Sequence, residues 1–382
     1  MKRSLLLFIL IITLMSSLTG KYFTLESSHP EEDLIRPGKI LEGPDGNIYI
    51  YDSQDAFIKV FSPRGGFIRK MGGKGEGPGQ VKRADGLDFG FTPDGKQIHF
   101  TEFFRGHRWI TFLDLNGKLN RTLTYGFTGN FGILRSVIVR NNLIFIQRQK
   151  PGKEIRRNDI HYGGYVSELI VLNGNGEITA TVLTRANPET MSFIRDGGDT
   201  GIPFSPRFLW AVTGQGNILF TDGTGPDLEL LDREGKRLNK ITVPGVKPMP
   251  VTEKDLTMWR TDRKEMFSHK NRAWYNEFGS VIEKYTKSIF KYKPVILDLS
   301  LTPGNNILLK CLTDKKDTFK YLLIDNQGHL ISALNSGFSD IRLSDNYIFL
   351  RTINDEDEIS ILFLKRKGGE KEDLFSVKNN TI

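Results

Sequence analysis

Cysteine is almost missing from this chain: Cys311 is the single one among 382 residues. No intramolecular disulfide can form, so stability must come from packing whatever the redox compartment. Cys311 lies in the apolar run NNILLKCLTD, the setting of a small core residue and not of a nucleophile. Histidine is sparse too, and none of the six stands at H-x-x-x-H or H-E-x-x-H spacing, so no local metal motif exists. A G-x-S-x-G nucleophile elbow is absent. The densest glycine cluster, MGGKGEGPGQ (71–80), fails as a phosphate loop because Gly73-Lys74 is followed by Gly75 instead of Ser or Thr. It fails as a dinucleotide fingerprint because Pro78 stands where the third glycine would fall.

Long apolar runs are also lacking. Leu5–Met15 spans 11 residues broken only by Thr13, against about 20 for a membrane-crossing helix. Preceded by Lys2-Arg3 and followed by Ser16, Ser17, Thr19 and Gly20, it predicts a signal peptide over 1–20, or an N-terminal anchor if uncleaved. No Cys follows it, which excludes a lipoprotein. The expected location is periplasmic or extracellular, with membrane contact only through an uncleaved N-terminal segment. The formal charge is +8, of which the signal carries +2. An exported chain without basic–aromatic alternation points away from nucleic acid and towards anionic glycans or peptides.

What is present is a repeat: strand, tight turn, strand, variable loop, strand, tight turn, strand. Its clearest copy is GKILEGPDGNIYIYDSQDAFIKVFSPRGGFIRKMG, and six units can be laid out along the chain. Asp94-Gly95, Asn175-Gly176 and Glu234-Gly235 put glycine where a two-residue hairpin needs positive φ. Anchors at Gly46, Gly95, Asn142, Gly216, Gly304 and Asp345 are 49, 47, 74, 88 and 41 residues apart. The short spacings match propeller blades of about 40–50 residues, and the long ones are blades with insertions. The reading is an all-β, six-bladed β-propeller of four-stranded blades, a single domain over 21–382. A helical insertion at about 250–292 separates blades four and five. It opens with Thr252 and Asp255 as a capping box, and Leu256, Trp259, Trp274, Phe278, Val281, Ile282, Tyr285 and Ile289 recur at helical spacing.

DGNIYIYDSQDAFIKVFSPRGGFIRKMGGKGEGPGQ resembles an NHL-type repeat through nearly its whole length, and the chain is similar to bacterial exported six-bladed propellers related to NHL-repeat proteins. Relatives of that fold include receptors, scaffolds, lactone hydrolases and lyases, so the resemblance implies a blade and not an activity.

The repeat places both tight turns of each unit at one end of the sheet. Every long connection then lies at the other, and function tends to reside in such loops. The candidate ligand-binding residues there are Arg105 and His107 in FFRGHRW, Arg156, Arg157, His161 and Tyr162 in the segment 147–163, and Arg207 where the chain enters blade four. Five bases against two acids in 147–163, beside aromatic rings, suit carboxylated or sulfated sugars and anionic peptides. Arg207 either holds an anion or caps strand-end carbonyls. The expectation is a non-catalytic module binding a protein, peptide or anionic glycan, with no catalytic residue and no cofactor. The alternative is a metal-dependent lyase or lactone-type hydrolase with Ca or Zn at the channel mouth, where His107, His161 and His269 are the only histidines placed to meet.

Overall fold

The computed structural model describes residues 22–24, 34–77, 79–81, 87–102, 109–125, 133–157, 160–187, 190–193, 198–201, 203–266, 279, 283–284, 286–287, 290–314, 318–337, 340–344, 346–353 and 359–365. They form a β-propeller fold of four-stranded antiparallel sheets with a helical insertion.

One turn chemistry generates the sheets. In blade four Asp232 ends the third strand, and its backbone N–H donates to the Lys236 carbonyl at 2.9 Å. Its Oδ1 accepts from the N–H groups of Glu234 and Lys236, at 3.0 and 2.8 Å. Gly235, at φ +87°, turns the chain back. Asp114, Asn173 and Asp325 do the same in blades two, three and five, and Ser62 does so in blade one. Glycine has positive φ as expected, but these are five-residue turns and not two-residue ones, with the bulge that this geometry produces just after the turn.

Five blades each consist of four consecutive strands. Blade one comprises Pro37–Glu42, Ile48–Asp52, Phe57–Phe61 and Phe67–Gly72. Blade two comprises Leu87–Phe91, Gln97–Glu102, Trp109–Asp114 and Leu119–Thr124. Blade three comprises Ile133–Arg140, Leu143–Arg157, Ile160–Leu172 and Ile178–Asn187. Blade four comprises Leu209–Val212, Ile218–Thr221, Asp227–Leu231 and Arg237–Thr242. Blade five comprises Ile296–Leu301, Ile307–Leu312, Phe319–Ile324 and Leu330–Ser336.

The expectation of six self-contained four-stranded blades is corrected here to five. The remaining sheet is composite: Asp340–Leu343, Tyr347–Ile353 and Ile359–Lys365 are joined by Tyr22–Thr24 from the other end of the chain. The physical reason is edge occupancy. Tyr22–Thr24 pairs with Leu362–Leu364, the edge that a fourth consecutive strand would need.

The chain divides into two compact units, one holding blade one and the composite sheet, the other blades two to five. In the first, Ile40, Ile50 and Phe61 pack against Tyr347 and Phe349. A buried charge cluster fixes the second turn of blade one, where Lys59 lies between Asp52 and Asp55 at 3.0 and 2.9 Å. Burial alone would raise the Asp52 carboxyl, but N–H donors from Gln54, Ile35 and Arg36 and the Lys59 ammonium hold it below the usual carboxylate range.

In the second unit each neighbouring pair of blades shares an apolar core. Two buried polar links cross these cores: the Val137 N–H donates to Asp88 Oδ2 at 3.0 Å, and Trp210 Nε1 donates to Gln147 Oε1 at 2.9 Å. The turn glycines serve packing as well as conformation. A Cβ on Gly176 would stand 3.0 Å from the Thr124 carbonyl, and one on Gly235 would meet the Val182 carbonyl. Both carbonyls belong to the outer strand of the preceding blade, so each turn is seated on its neighbour.

The helical insertion is anchored at its neck by Met249–Pro250 pairing with Tyr292–Lys293, close to the expected bounds. The helix Glu253–Met266 opens on the expected capping box, with Asp255 N–H donating to Thr252 Oγ1 at 3.3 Å and Thr252 N–H to Asp255 Oδ2 at 2.9 Å. Leu256 of the expected apolar stripe is buried. Ion pairs Arg260–Glu283, Lys287–Glu253 and Lys293–Asp255 tie the helix to the returning chain.

Candidate functional site

Within each blade of the second unit the first-to-second and third-to-fourth turns lie at one end of the sheet, and the second-to-third and inter-blade connections lie at the other. Blade three is the most elaborate there. The segment 147–163 is not a loop: it belongs to a hairpin whose strands run 15 and 13 residues, where blade four has 4 and 5. Roughly ten extra residues carry it about 30 Å beyond a blade of ordinary height. The register pairs Arg156 with His161, Ile155 with Tyr162 and Arg157 with Ile160. Arg156, Arg157, His161 and Tyr162 are thus brought within one short stretch of ladder near the end of the arm.

The root of the arm is less basic than its composition suggests. Arg148 and Lys150 share the Glu168 carboxylate, with Nε and Nζ at 2.7 and 2.5 Å from its two oxygens. Burial would raise that carboxyl, yet the two cations hold it below its usual range. Arg105 and His107 lie outside the described residues, as does His269.

Arg207 is the expected site residue whose side chain is best placed. Its backbone N–H extends the first-to-second ladder of blade four by donating to the Asp222 carbonyl at 2.7 Å. Its side chain is exposed and lines a cavity of about 580 Å³ with Phe204, Ser205, Lys293, Pro294, Leu297 and Leu312. The cavity thus joins the entrance to blade four, the neck of the insertion and blade five. The walls are mainly apolar, and the cations differ in state. Lys293 Nζ is 2.6 Å from Asp255 Oδ1, so its charge is neutralised by an acid that also caps the helix. Arg207 donates only a long bond, 3.4 Å, to the Leu297 carbonyl, and among the described residues it has no carboxylate in ion-pair range. Of the two readings of Arg207, the structure displays the bond to a strand carbonyl. Phe204 in the wall holds φ +59°, a left-handed conformation that non-glycine residues adopt at a cost.

No protein-family model matches the chain, and no curated protein matches its sequence. Solved structures do share the fold. A protein described as exported, from Bacteroides fragilis, superposes with a TM-score of 0.50 at 11% identity, over 91% of this chain and 95% of that one. A member of the DUF4221 family from Bacteroides vulgatus gives 0.50 at 8% identity, over 91% and 97%. At such identities the likeness is one of fold alone. The expected kinship with NHL-repeat proteins is not supported and is corrected: no family matches, and blades whose second strands range from 4 to 15 residues are not copies of one uniform repeat.

Among the described residues no group of three or more His, Cys, Asp or Glu is placed to hold a metal ion. Cys311 is buried, and burial pushes its thiol up to about 12, the state of an inert core residue. In MGGKGEGPGQ the N–H groups that would cradle phosphate are spent internally: Gly73 donates to Ala56, Gly75 to Val81 and Gly77 to Gln80 Oε1. Arg207 is singled out by the sequence, but the residues that share its wall are not. Lys293, Pro294 and Leu297 sit about 90 residues further on, and only the paired neck brings them back; the paired prolines Pro250 and Pro294 flanking the insertion were the available signal.

Proposed function

We propose that the protein is an exported, non-catalytic binding module whose elaborated end captures an anionic peptide or glycan. The observation that carries this reading is Arg207: an exposed guanidinium at the elaborated end, beside a cavity, with no carboxylate partner among the described residues. The cationic arm of blade three supports it, since Arg156 and Arg157 reach its tip at the same end of the sheet. Electrostatic capture of this kind weakens steeply with salt. Purified protein is therefore expected to retain on an immobilised sulfated glycan or an acidic peptide in low salt and to elute as salt rises. Arg156→Ala with Arg157→Ala is expected to shift elution to lower salt. Unchanged retention and unchanged salt dependence in that variant would remove the arm from the binding surface.

A further inference from the structure

We propose that the cavity beside Arg207 is a discrete site for an apolar carboxylate, a ligand with one anionic head and an aliphatic body. The inference rests on the binding reading above and names the ligand chemistry of the Arg207 cavity, a surface separate from the arm.

Charge arithmetic sets the head group. Of the two cations among the described residues of the wall, Lys293 is neutralised by Asp255, which leaves the charge of Arg207. A planar guanidinium with one weak bond to a backbone carbonyl can turn two parallel N–H donors towards a carboxylate. A phosphate dianion would need a second free cation or a cluster of unspent N–H groups, and the described wall supplies neither.

The remaining wall sets the body. Phe204, Pro294, Leu297 and Leu312 offer aliphatic and aromatic surface that an inorganic anion would leave unused. A sugar would require several hydrogen-bonding groups, whereas Ser205 is the one hydroxyl among the described residues lining the cavity. About 580 Å³ falls within the range of small-molecule pockets, roughly 300–1,000 Å³. The strained backbone of Phe204 holds one wall in a conformation that packing alone would not favour. Fatty acids and peptide C-termini ending in an aliphatic residue share this chemistry.

Isothermal titration of the full chain with decanoate, decanol, and a Leu-Leu-terminated pentapeptide as free acid and as amide tests the proposal. One of the two acids is expected to bind, and its neutral counterpart to bind at least tenfold more weakly. Arg207→Ala should cost that acid tenfold or more, Arg207→Lys less, and Leu312→Gln should weaken it while leaving the charge in place. Decanoate binding alone identifies a free aliphatic acid, and peptide-acid binding alone a chain terminus. Failure of both acids to bind, equal binding of acid and neutral forms, or full affinity in Arg207→Ala overturns the proposal. The Arg156/Arg157 double variant should leave this titration unchanged, so loss of the arm's function and loss of this site are read separately.

Discussion

Gly216 and Gly235 occupy the two hairpins of blade four at φ +86° and +87°, and replacing each with alanine separates backbone strain from inter-blade packing. Alanine at either position must hold a left-handed backbone, at a cost of about 1–2 kcal/mol. At Gly216 little is added, because the nearest atom to the new methyl is Asn141 Nδ2 at 3.4 Å, an ordinary contact. At Gly235 the methyl meets the Val182 carbonyl, a backbone atom of the outer strand of blade three and not the far end of a flexible side chain. Overpacking of that kind adds about 1–3 kcal/mol. Gly235→Ala is therefore expected to lose about 2–5 kcal/mol in total. One kcal/mol corresponds to about 2–4 °C in a unit of this size, so Gly235→Ala should melt at least about 2 °C below Gly216→Ala in a calorimetric scan. Equal melting temperatures would refute the claim that turn glycines are inter-blade packing sites.

Two other perturbations follow from the buried charges. Lys59→Met strips Asp52 of its cation in a setting that is fully buried, and should cost about 3–5 kcal/mol in urea unfolding; a loss under about 1 kcal/mol would show that the backbone donors suffice for Asp52. At the insertion, burial pushes the Asp255 carboxyl up, but Lys293 and the Thr252 donors more than offset it, so its folded value lies below the usual one. A depressed value stabilises the neck above about pH 4 and loses that contribution as pH falls through the folded value. Helical ellipticity should therefore fall on acidification below about pH 4 in the parent chain, and less so in Asp255→Asn; parallel profiles would dissociate the carboxylate from the helix.

The parts of this fold legible in the sequence are those set by local chemistry. Asp, Asn or Ser followed three residues later by Gly marks each outer hairpin, because the side-chain acceptor and the left-handed glycine act within five residues. The capping box at Thr252 is local in the same way. The arm of blade three was misread as a loop because Pro151, Gly152, Gly163 and Gly164 break the strand alternation, although ladder pairing continues across the irregularity between Pro151 and Glu154. Non-local features left no such trace. The cavity wall is gathered from three segments by the neck of the insertion. Arg207 could be named because a residue entering an inner strand has a predictable position, whereas the neutralisation of Lys293 by Asp255 depends on tertiary return.

The pairing of Tyr22–Thr24 with Leu362–Leu364 bears on the order in which the molecule can be built. These partners are ~340 residues apart, so closing that contact from an open chain costs about 5 kcal/mol of loop entropy, far more than three residues of ladder can return unaided. The contact becomes favourable only after the intervening blades have drawn the two ends together. Synthesis delivers Tyr22–Thr24 long before Leu362–Leu364, so the earlier strand must wait, unpaired, while the blades between them are made. The composite sheet thereby keeps an open strand edge, the kind of edge other chains can pair with, until its later partner has been made.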